Sequence, residues 1–523
     1  QFFNARVRRW SIGLALLAGM AAGVGVWQHC VADVAGAGST DRHVAHTVTK
    51  LMGKEHLSQH PLNDEISRRG FKSFLDGLDP LKIYFYQTDV DEFARYEEAL
   101  DDMLAKYETD FAYRVFKRFL KRADERVSMI DDLLKQQFDF TKVEEMVTKP
   151  ELLRYPQSEE EARERWRQRL KYDLLILKAD ETEGAEATEK LSKRYHNFYR
   201  RMTQFDSDEI LEMFLTAITT SYDPHTTYMS PSRLDNFTIA LSLELEGIGA
   251  QLQDRDGPTV VAEVVRGGAA DEHGKLKEDD QIVSVAEGDD GAAVDIVGMK
   301  LDDVVQLIRG KAGTTVRLGV IPAEKKATVT YELTRAKIKL EDSAARGEVL
   351  DVGTETDGKP FKVGVIDLPS FYLDMEGARF HLPNYRSATR DVRKILADFK
   401  EQGVDAVVLD LRRNGGGSLT EAVDLTGLFI DKGPVVQVKG FDDRIDVHVD
   451  DEPGMAWGGP LVVLTSKLSA SASEILAGAV QDYRRGLVVG DEATHGKGTV
   501  QTLKDVGREV LPGHSRHNNL GAL

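Results

Sequence analysis

Between Lys362 and Val489 the sequence alternates short apolar runs with helical stretches, and this alternation constrains the fold more than any other feature. Val363 to Leu368 reads as a strand, and Tyr385 to Gln402 as a helix. Val404 to Leu411 is a near-continuous apolar run, followed by a helix from Leu419 to Phe429. Pro460 to Thr465 is a second buried strand, Ala472 to Tyr483 a helix, and Gly486 to Val489 a strand again. Strands joined through helices run parallel, and a strand that is apolar along its length must be covered on both faces. The expectation is an α/β unit with a mostly parallel sheet.

The rest of the 523 residues has a different texture. From residue 38 to 237 the pattern is helical. Phe93, Tyr96, Leu100, Leu104, Tyr107, Phe111 and Val115 step by three or four, the spacing of one helical stripe. Ser207-Asp208 opens another helix, and charge-rich Ser158 to Arg169 reads as a solvated helix face. From 238 to 338 short β-branched runs alternate with Gly and Asp turns around one helical segment, Leu301 to Arg309, which describes a β-rich module. The α/β unit then spans 339–505, and 506–523 reads as an irregular tail. The chain as a whole is expected to be a multidomain α+β protein.

At the N-terminus, Arg6, Arg8 and Arg9 precede an apolar stretch from Ser11 to Trp27, with small residues at Ala35-Gly36-Ala37. Residues 1–37 therefore read as a signal peptide or an anchor, which puts the remainder outside the cytoplasm, in a bacterial-type envelope. A formal charge of −19 disfavours phosphate backbones as partners, so nucleic acid is excluded as the main target. The one cysteine rules out an intramolecular disulfide and multi-cysteine metal sites.

Three turns of the α/β unit carry residues suited to chemistry. Asn414-Gly415-Gly416-Gly417 follows a buried strand and can point N–H groups at an anion, or can be no more than a flexible turn. Ser469-Ala470-Ser471-Ala472-Ser473-Glu474 opens a helix, where a serine can be a nucleophile beside free N–H groups or simply a cap. Gly490 to Thr499 resembles a phosphate loop but fails its spacing, with five residues between Gly490 and Gly496 and Gly498 where Ser or Thr should bind magnesium, so an NTPase is rejected. Its Lys497 can act as a base if desolvated, or remain an exposed lysine.

Taken together, Ser469–Glu474 and Gly496-Lys497-Gly498-Thr499-Val500-Gln501 resemble the signature of the tail-specific proteases, also called carboxyl-terminal processing peptidases. Tyr222-Asp223-Pro224-His225-Thr226, Gly247-Ile248-Gly249-Ala250 and Asn414–Gly417 match other blocks of that family in order. The likeness runs from about residue 40 to 505, and the helical half resembles the family's long periplasmic branch. The resemblance implies Ser471 as nucleophile, Lys497 as general base and Gln501 as the residue that orients it. It implies an oxyanion hole from backbone N–H groups of Ala472, Gly415 and Gly416. Asp482 matches a position important in the family, but eleven helical residues span ~16 Å, so a structural role is expected. His495 and His225 are not needed by the motif. The β-rich module resembles a PDZ domain whose Gly247, Ile248, Gly249 and Ala250 would hold a substrate's terminal carboxylate.

The resemblance thus implies an envelope serine endopeptidase with a Ser–Lys mechanism, needing no metal or cofactor. Its partners would be protein or peptide substrates with free apolar C-termini, and an envelope adaptor protein. A non-catalytic PDZ adaptor with an incomplete protease core is the rival reading. An acyl-CoA-type hydrolase is a third, which leaves the PDZ module without a use. Two departures from the family are visible. The loop from Gly490 to Gly496 is one residue longer, a length that would shift Lys497. After Gln501 the sequence from Gly507 to Asn519 shows no strand pattern where the family continues with core strands, which reads as truncation or an altered frame.

Overall fold

Amphipathic stretches of the N-terminal half form helices in a computed structural model, which describes residues 36–510 and 519–523 apart from 256, 326 and 355–357. They are α1 (Ser39–Glu55), α2 (Asp64–Leu78), α3 (Gln87–Ala94), α4 (Leu100–Ala105), α5 (Asp110–Leu134), α6 (Glu159–Ala179), α7 (Gly184–Thr203), α8 (Ser207–Thr219) and α9 (Pro231–Ser242). The stripe from Phe93 to Val115 does not line a single helix. It is divided among α3, α4 and α5, and Tyr107 enters the left-handed region at φ 62°, a conformation that interrupts a right-handed helix. Phe93, Leu100, Leu104, Phe111 and Val115 are buried all the same, because each short helix keeps its own apolar face. Ser158 caps α6 by accepting the Glu161 N–H.

The segment expected as one helical domain falls in two compact units. One contains Leu78–Phe93 and Asp110–Ser207, with a core around Trp166, Leu170 and Ile130. The other contains Ser39–Gly77, Ala94–Thr109 and Asp208–Leu523. The leader expected over 1–37 lies almost wholly outside the described residues. Among the described residues no helix is long and apolar enough to cross a membrane.

The β-rich module comprises β1 (Glu244–Gly247), β2 (Ala250–Asp254), β3 (Thr259–Val264), α10 (Ala269–His273), β4 (Gln281–Glu287), β5 (Val294–Asp295), α11 (Leu301–Ile308), β6 (Thr315–Ile321), β7 (Val329–Thr334) and β8 (Ala336–Lys339). Its sheet runs β2-β3-β4-β6-β7, with β5 beside β4, so β2 is an edge strand. Inward residues of the strands and α11, among them Val261, Ile282, Val304, Ile308, Leu318 and Leu333, close one core. The entry and exit strands, β1 and β8, pair antiparallel.

The α/β unit follows as β9 (Arg346–Thr354), β10 (Pro360–Asp367), α12 (Met375–Arg379), α13 (Ala388–Glu401), β11 (Ala406–Asp410), α14 (Leu419–Gly427), β12 (Gly433–Lys439), β13 (Ile445–Asp450), β14 (Leu461–Thr465), α15 (Ala472–Asp482), β15 (Leu487–Gly490) and α16 (Val506–Val510). The sheet order is β15-β14-β11-β10-β9, parallel from β15 to β10 and antiparallel at β9. Val407, Leu409, Val463 and Leu476 pack into its core with Val392 and Leu396 of α13. β9 and the β12–β13 hairpin are additions to the sequence reading. The tail is less irregular than expected. Val506–Val510 is helical, and Ala522 is buried and bridges to Met229 and Asp505, while residues 511–518 lie outside the described set.

Candidate active site

The three turns singled out in the sequence leave the C-terminal ends of β11, β14 and β15, which are neighbours in the sheet. Loops at that edge of a parallel sheet are where ligands collect. The turn after β14 ends at Ser471, the N-cap of α15, held at φ 56° and ψ −113°. A non-glycine residue there carries strain of about 1–3 kcal/mol and persists only where its surroundings impose it.

The two flanking serines have other duties. Ser469 is fully buried, accepts the Ser466 N–H at 2.9 Å and donates to the Leu411 carbonyl at 2.7 Å. Ser473 is also fully buried and donates to the Asn414 carbonyl at 2.9 Å. Both tie the β14 turn to the β11 turn, whereas Ser471 is only half-buried.

In the β11 turn, buried Asn414 donates through Nδ2 to the Leu368 carbonyl at 2.9 Å, and its Oδ1 accepts the Gly416 N–H at 2.9 Å. The Gly416 N–H expected in an oxyanion hole is thus directed at Asn414 Oδ1. Among the described residues the N–H groups of Gly415 and Ala472 have no partner. Gly416 sits at φ 111°, and a Cβ there would lie 2.9 Å from the Ser471 Cβ. The two turns touch through this missing side chain.

The β15 turn is stapled to the β14 turn along its length. Asp491 Oδ2 accepts the Lys467 N–H at 2.9 Å, and the His495 N–H donates to the Ser469 carbonyl at 3.0 Å. Glu474, three residues into the turn that starts at Ser471, makes the rest. Its Oε1 accepts from Thr494 Oγ1 and from the Gly496 N–H, both at 2.6 Å. Its Oε2 accepts from the N–H groups of Ser471 at 2.8 Å and Lys497 at 2.9 Å. One oxygen thus holds both backbones, and their nitrogens lie within about 6 Å of each other. Burial alone would raise the Glu474 carboxyl, but these hydrogen bonds outweigh it and hold the group below the usual glutamate range. The longer loop does not pull Lys497 away. Lys497 Nζ donates to Gln501 Oε1 at 2.7 Å, and Gln501 Nε2 donates to Thr499 Oγ1 at 3.0 Å.

Glu474 and Asn414 were quoted in the sequence without a role. Ser471-Ala472-Ser473-Glu474 has the Ser-x-x-Glu spacing of a capping box, a signal that would have singled out Glu474. Asp482 is exposed at the far end of α15, and His495 and His225 are exposed. The His225 N–H donates to Asp223 Oδ1 at 2.6 Å, in a turn that His56 joins through Nε2 to Asp223 Oδ2 at 2.6 Å.

Gly247–Ala250 joins β1 to the edge strand β2. Ile248 is buried, and Gly249 takes φ 74°, a conformation that favours glycine. The carbonyls of Ile248 and Gly249 accept from the N–H groups of Ala270 at 2.7 Å and Val265 at 2.9 Å. The N–H groups of Ile248 and Gly249 have no partner among the described residues.

A helical N-terminal part, a β-rich module with an open edge strand, and an α/β core presenting a helix-capping serine beside a lysine turn follow one another along the chain. Family models match in that order: tail specific protease N-terminal domain at residues 47–232, PDZ domain at 238–321 and peptidase family S41 at 362–512. The chain is 37% identical over 459 residues to the tail-specific protease of Haemophilus influenzae, covering 88% of this chain and 63% of that protein. It is 29% identical over 328 residues to the carboxy-terminal processing protease CtpA of Bacillus subtilis, covering 62% of each. A solved PDZ domain of a Vibrio cholerae carboxy-terminal protease, in complex with peptide, is 44% identical over 19% of this chain and 100% of that one, with a TM-score of 0.18. The chain spans less than two thirds of the length of these two curated relatives. It belongs to the tail-specific protease family.

Proposed function

We propose that the chain is an envelope serine endopeptidase that recognises substrates by their C-terminal tails and cleaves them by a Ser–Lys mechanism. The observation that carries the reading is the shared Glu474 oxygen, which sets the backbones of Ser471 and Lys497 side by side. Lys497, as the neutral amine, takes the proton of Ser471 Oγ, and the alkoxide attacks the peptide carbonyl carbon. The oxyanion that forms is received by the free N–H groups of Ala472 and Gly415, since each such donor is worth about 10²–10³ in rate. Collapse of the intermediate breaks the C–N bond, and the leaving amine takes the proton held by Lys497. Water then attacks the acyl-enzyme as Lys497 accepts its proton, and collapse breaks the acyl–Oγ bond while Lys497 returns that proton to Ser471 Oγ. Gln501 orients the lysine through Oε1.

The PDZ module selects the tail. A peptide added along the free edge of β2 would bring its terminal carboxylate to the N–H groups of Ile248 and Gly249. An apolar C-terminus and an envelope adaptor fit this reading, as does a leader before residue 38. A serine-directed fluorophosphonate probe tests the chemistry and a pair of peptides tests recognition. The probe should label Ser471, and a free-acid peptide should bind at least about tenfold tighter than its amidated twin, which loses a charge-assisted contact. No labelling, with tail binding intact, would make the chain a PDZ adaptor instead.

A further inference from the structure

We infer that Glu474 is a positioning residue for the reaction, the joint that keeps nucleophile and base in register. The inference rests on the Ser471–Lys497 reading and adds to it the part that holds the two together. Helix capping does not account for the geometry. A capping box needs only the Ser471 N–H, at 2.8 Å, whereas three of the four donors on Glu474 come from Thr494, Gly496 and Lys497, at least twenty residues further along the chain. Both oxygens are used twice, and every donor is an N–H or O–H that needs an acceptor. Ser471, in its strained conformation, is fixed by the same oxygen that fixes Lys497.

The donor set explains why a carboxylate is required. In Glu474→Gln the amide has a single acceptor oxygen, so one of the two pairs must face an NH2 group. If the NH2 takes the Oε1 position, the Thr494 hydroxyl can rotate and accept from it, while the Gly496 N–H is left facing a donor. The pair that matters, Ser471 and Lys497, then survives on the remaining oxygen. E474Q should accordingly be impaired but active, and E474Q combined with Thr494→Val should lose more than the two single changes predict. In Glu474→Ala all four contacts vanish and the base turn is free to move. A misplacement of about 1 Å costs on the order of 10²-fold in rate.

The experiment uses the full chain, with cleavage of a free-acid peptide and labelling of Ser471 by a fluorophosphonate probe. E474A should lower kcat about 100-fold with KM within about twofold, because PDZ binding is untouched. Formate, a small carboxylate with two oxygens that can reach the vacated position, should restore at least about tenfold of that loss, and formamide should not. Glu492→Gln, an exposed acid of the same turn, should behave as the parent. If E474A does not fold, the isosteric E474Q and its combination with T494V carry the test through their kcat values. E474A or E474Q with parental kcat, or equal rescue by formate and formamide, would overturn the positioning role while leaving the Ser–Lys reading in place. A parent chain whose Ser471 is never labelled would overturn both.

Discussion

Replacing Gly416 by alanine puts a methyl group into the contact between the two turns that carry Ser471 and the Gly415–Gly417 backbone. Gly416 lies at φ 111°, where an L side chain costs about 1–2 kcal/mol. The new Cβ would lie 2.9 Å from the Ser471 Cβ, 3.0 Å from the Ala470 carbonyl oxygen and 3.4 Å from the Ala472 nitrogen. Two of these neighbours are backbone, so the strain cannot be relieved by swinging a side chain away. Opening the tightest contact to an ordinary carbon–carbon separation of about 3.5 Å moves one turn by roughly half an ångström, at an overpacking cost of about 1–3 kcal/mol. Catalytic constellations tolerate about half an ångström, so the oxyanion donors fall out of place. Peptide cleavage should fall about 10²-fold in kcat, the effect of losing one donor. A global cost near 2 kcal/mol would lower the melting temperature by about 4–8 °C for a domain of this size. Gly478, seven residues into α15, has open space around its Cβ position. Gly478→Ala should stabilise the helix by about 0.5–1 kcal/mol and leave cleavage unchanged. Cleavage kinetics, melting curves and tail-peptide binding on both variants decide the matter. G416A turning over within threefold of the parent would refute the claim that the turns meet at this glycine.

Ser471→Ala should abolish cleavage and probe labelling with little change in melting temperature, whereas Ser469→Ala and Ser473→Ala should each cost about 1 kcal/mol of stability by removing a buried hydrogen bond between the two turns. Inactivity from either flanking serine without loss of stability, beside an active S471A, would move the nucleophile. Lys497→Arg should be inactive because a guanidinium does not release its proton near neutral pH, and His495→Ala should cleave normally. Loss of activity in H495A would replace the lysine by a histidine base. Asp223 is drawn upward by burial, but the bonds from His56, Thr226 and the His225 N–H outweigh that and hold it at about 2. A depressed carboxyl contributes stability above its ordinary value of about 3.9 and loses it as pH falls through about 2. Asp223→Asn should therefore melt lower at neutral pH and show a flatter stability profile between about pH 4 and 2, as read by circular dichroism.

What the sequence made legible follows from how local the physics is. Val404 to Leu411 could be read as a buried central strand because both faces of β11 are covered, so its apolar run needs no partner to be recognised. β9 escaped because it is the edge of the sheet and reads Arg346-Gly347-Glu348-Val349-Leu350-Asp351, polar on one side and interrupted by glycine. The β12–β13 hairpin escaped for a similar reason. Ile445, Val447 and Val449 remain exposed, so burial does not force the alternation that marks a packed strand. The stripe from Phe93 to Val115 misled in the other direction. Apolar spacing reports which residues are buried and says nothing of the breaks after Ala94 and at Tyr107 that divide them among three helices.

The site shows the same division at closer range. Ser471, Lys497 and the glycine turn could be singled out as candidates because the roles proposed for them call for a residue type at the start of a helix or the end of a strand. The direction of the Gly416 N–H could not, since it depends on an Asn414 side chain that is aimed by the Leu368 carbonyl, 46 residues away in sequence. Glu474 is the intermediate case. Its helical position was written in the Ser-x-x-Glu spacing, but capping would have explained it fully at that level. Only the fold brings Thr494, Gly496 and Lys497 to the same carboxylate, at 2.6 to 2.9 Å. That convergence also bears on the longer turn after Gly490, whose Lys497 backbone is held to Glu474. A loop whose ends alone were fixed would pass an extra residue on as a displacement of Lys497. A loop bonded at Asp491, Thr494, His495, Gly496 and Lys497 absorbs it before the lysine is reached.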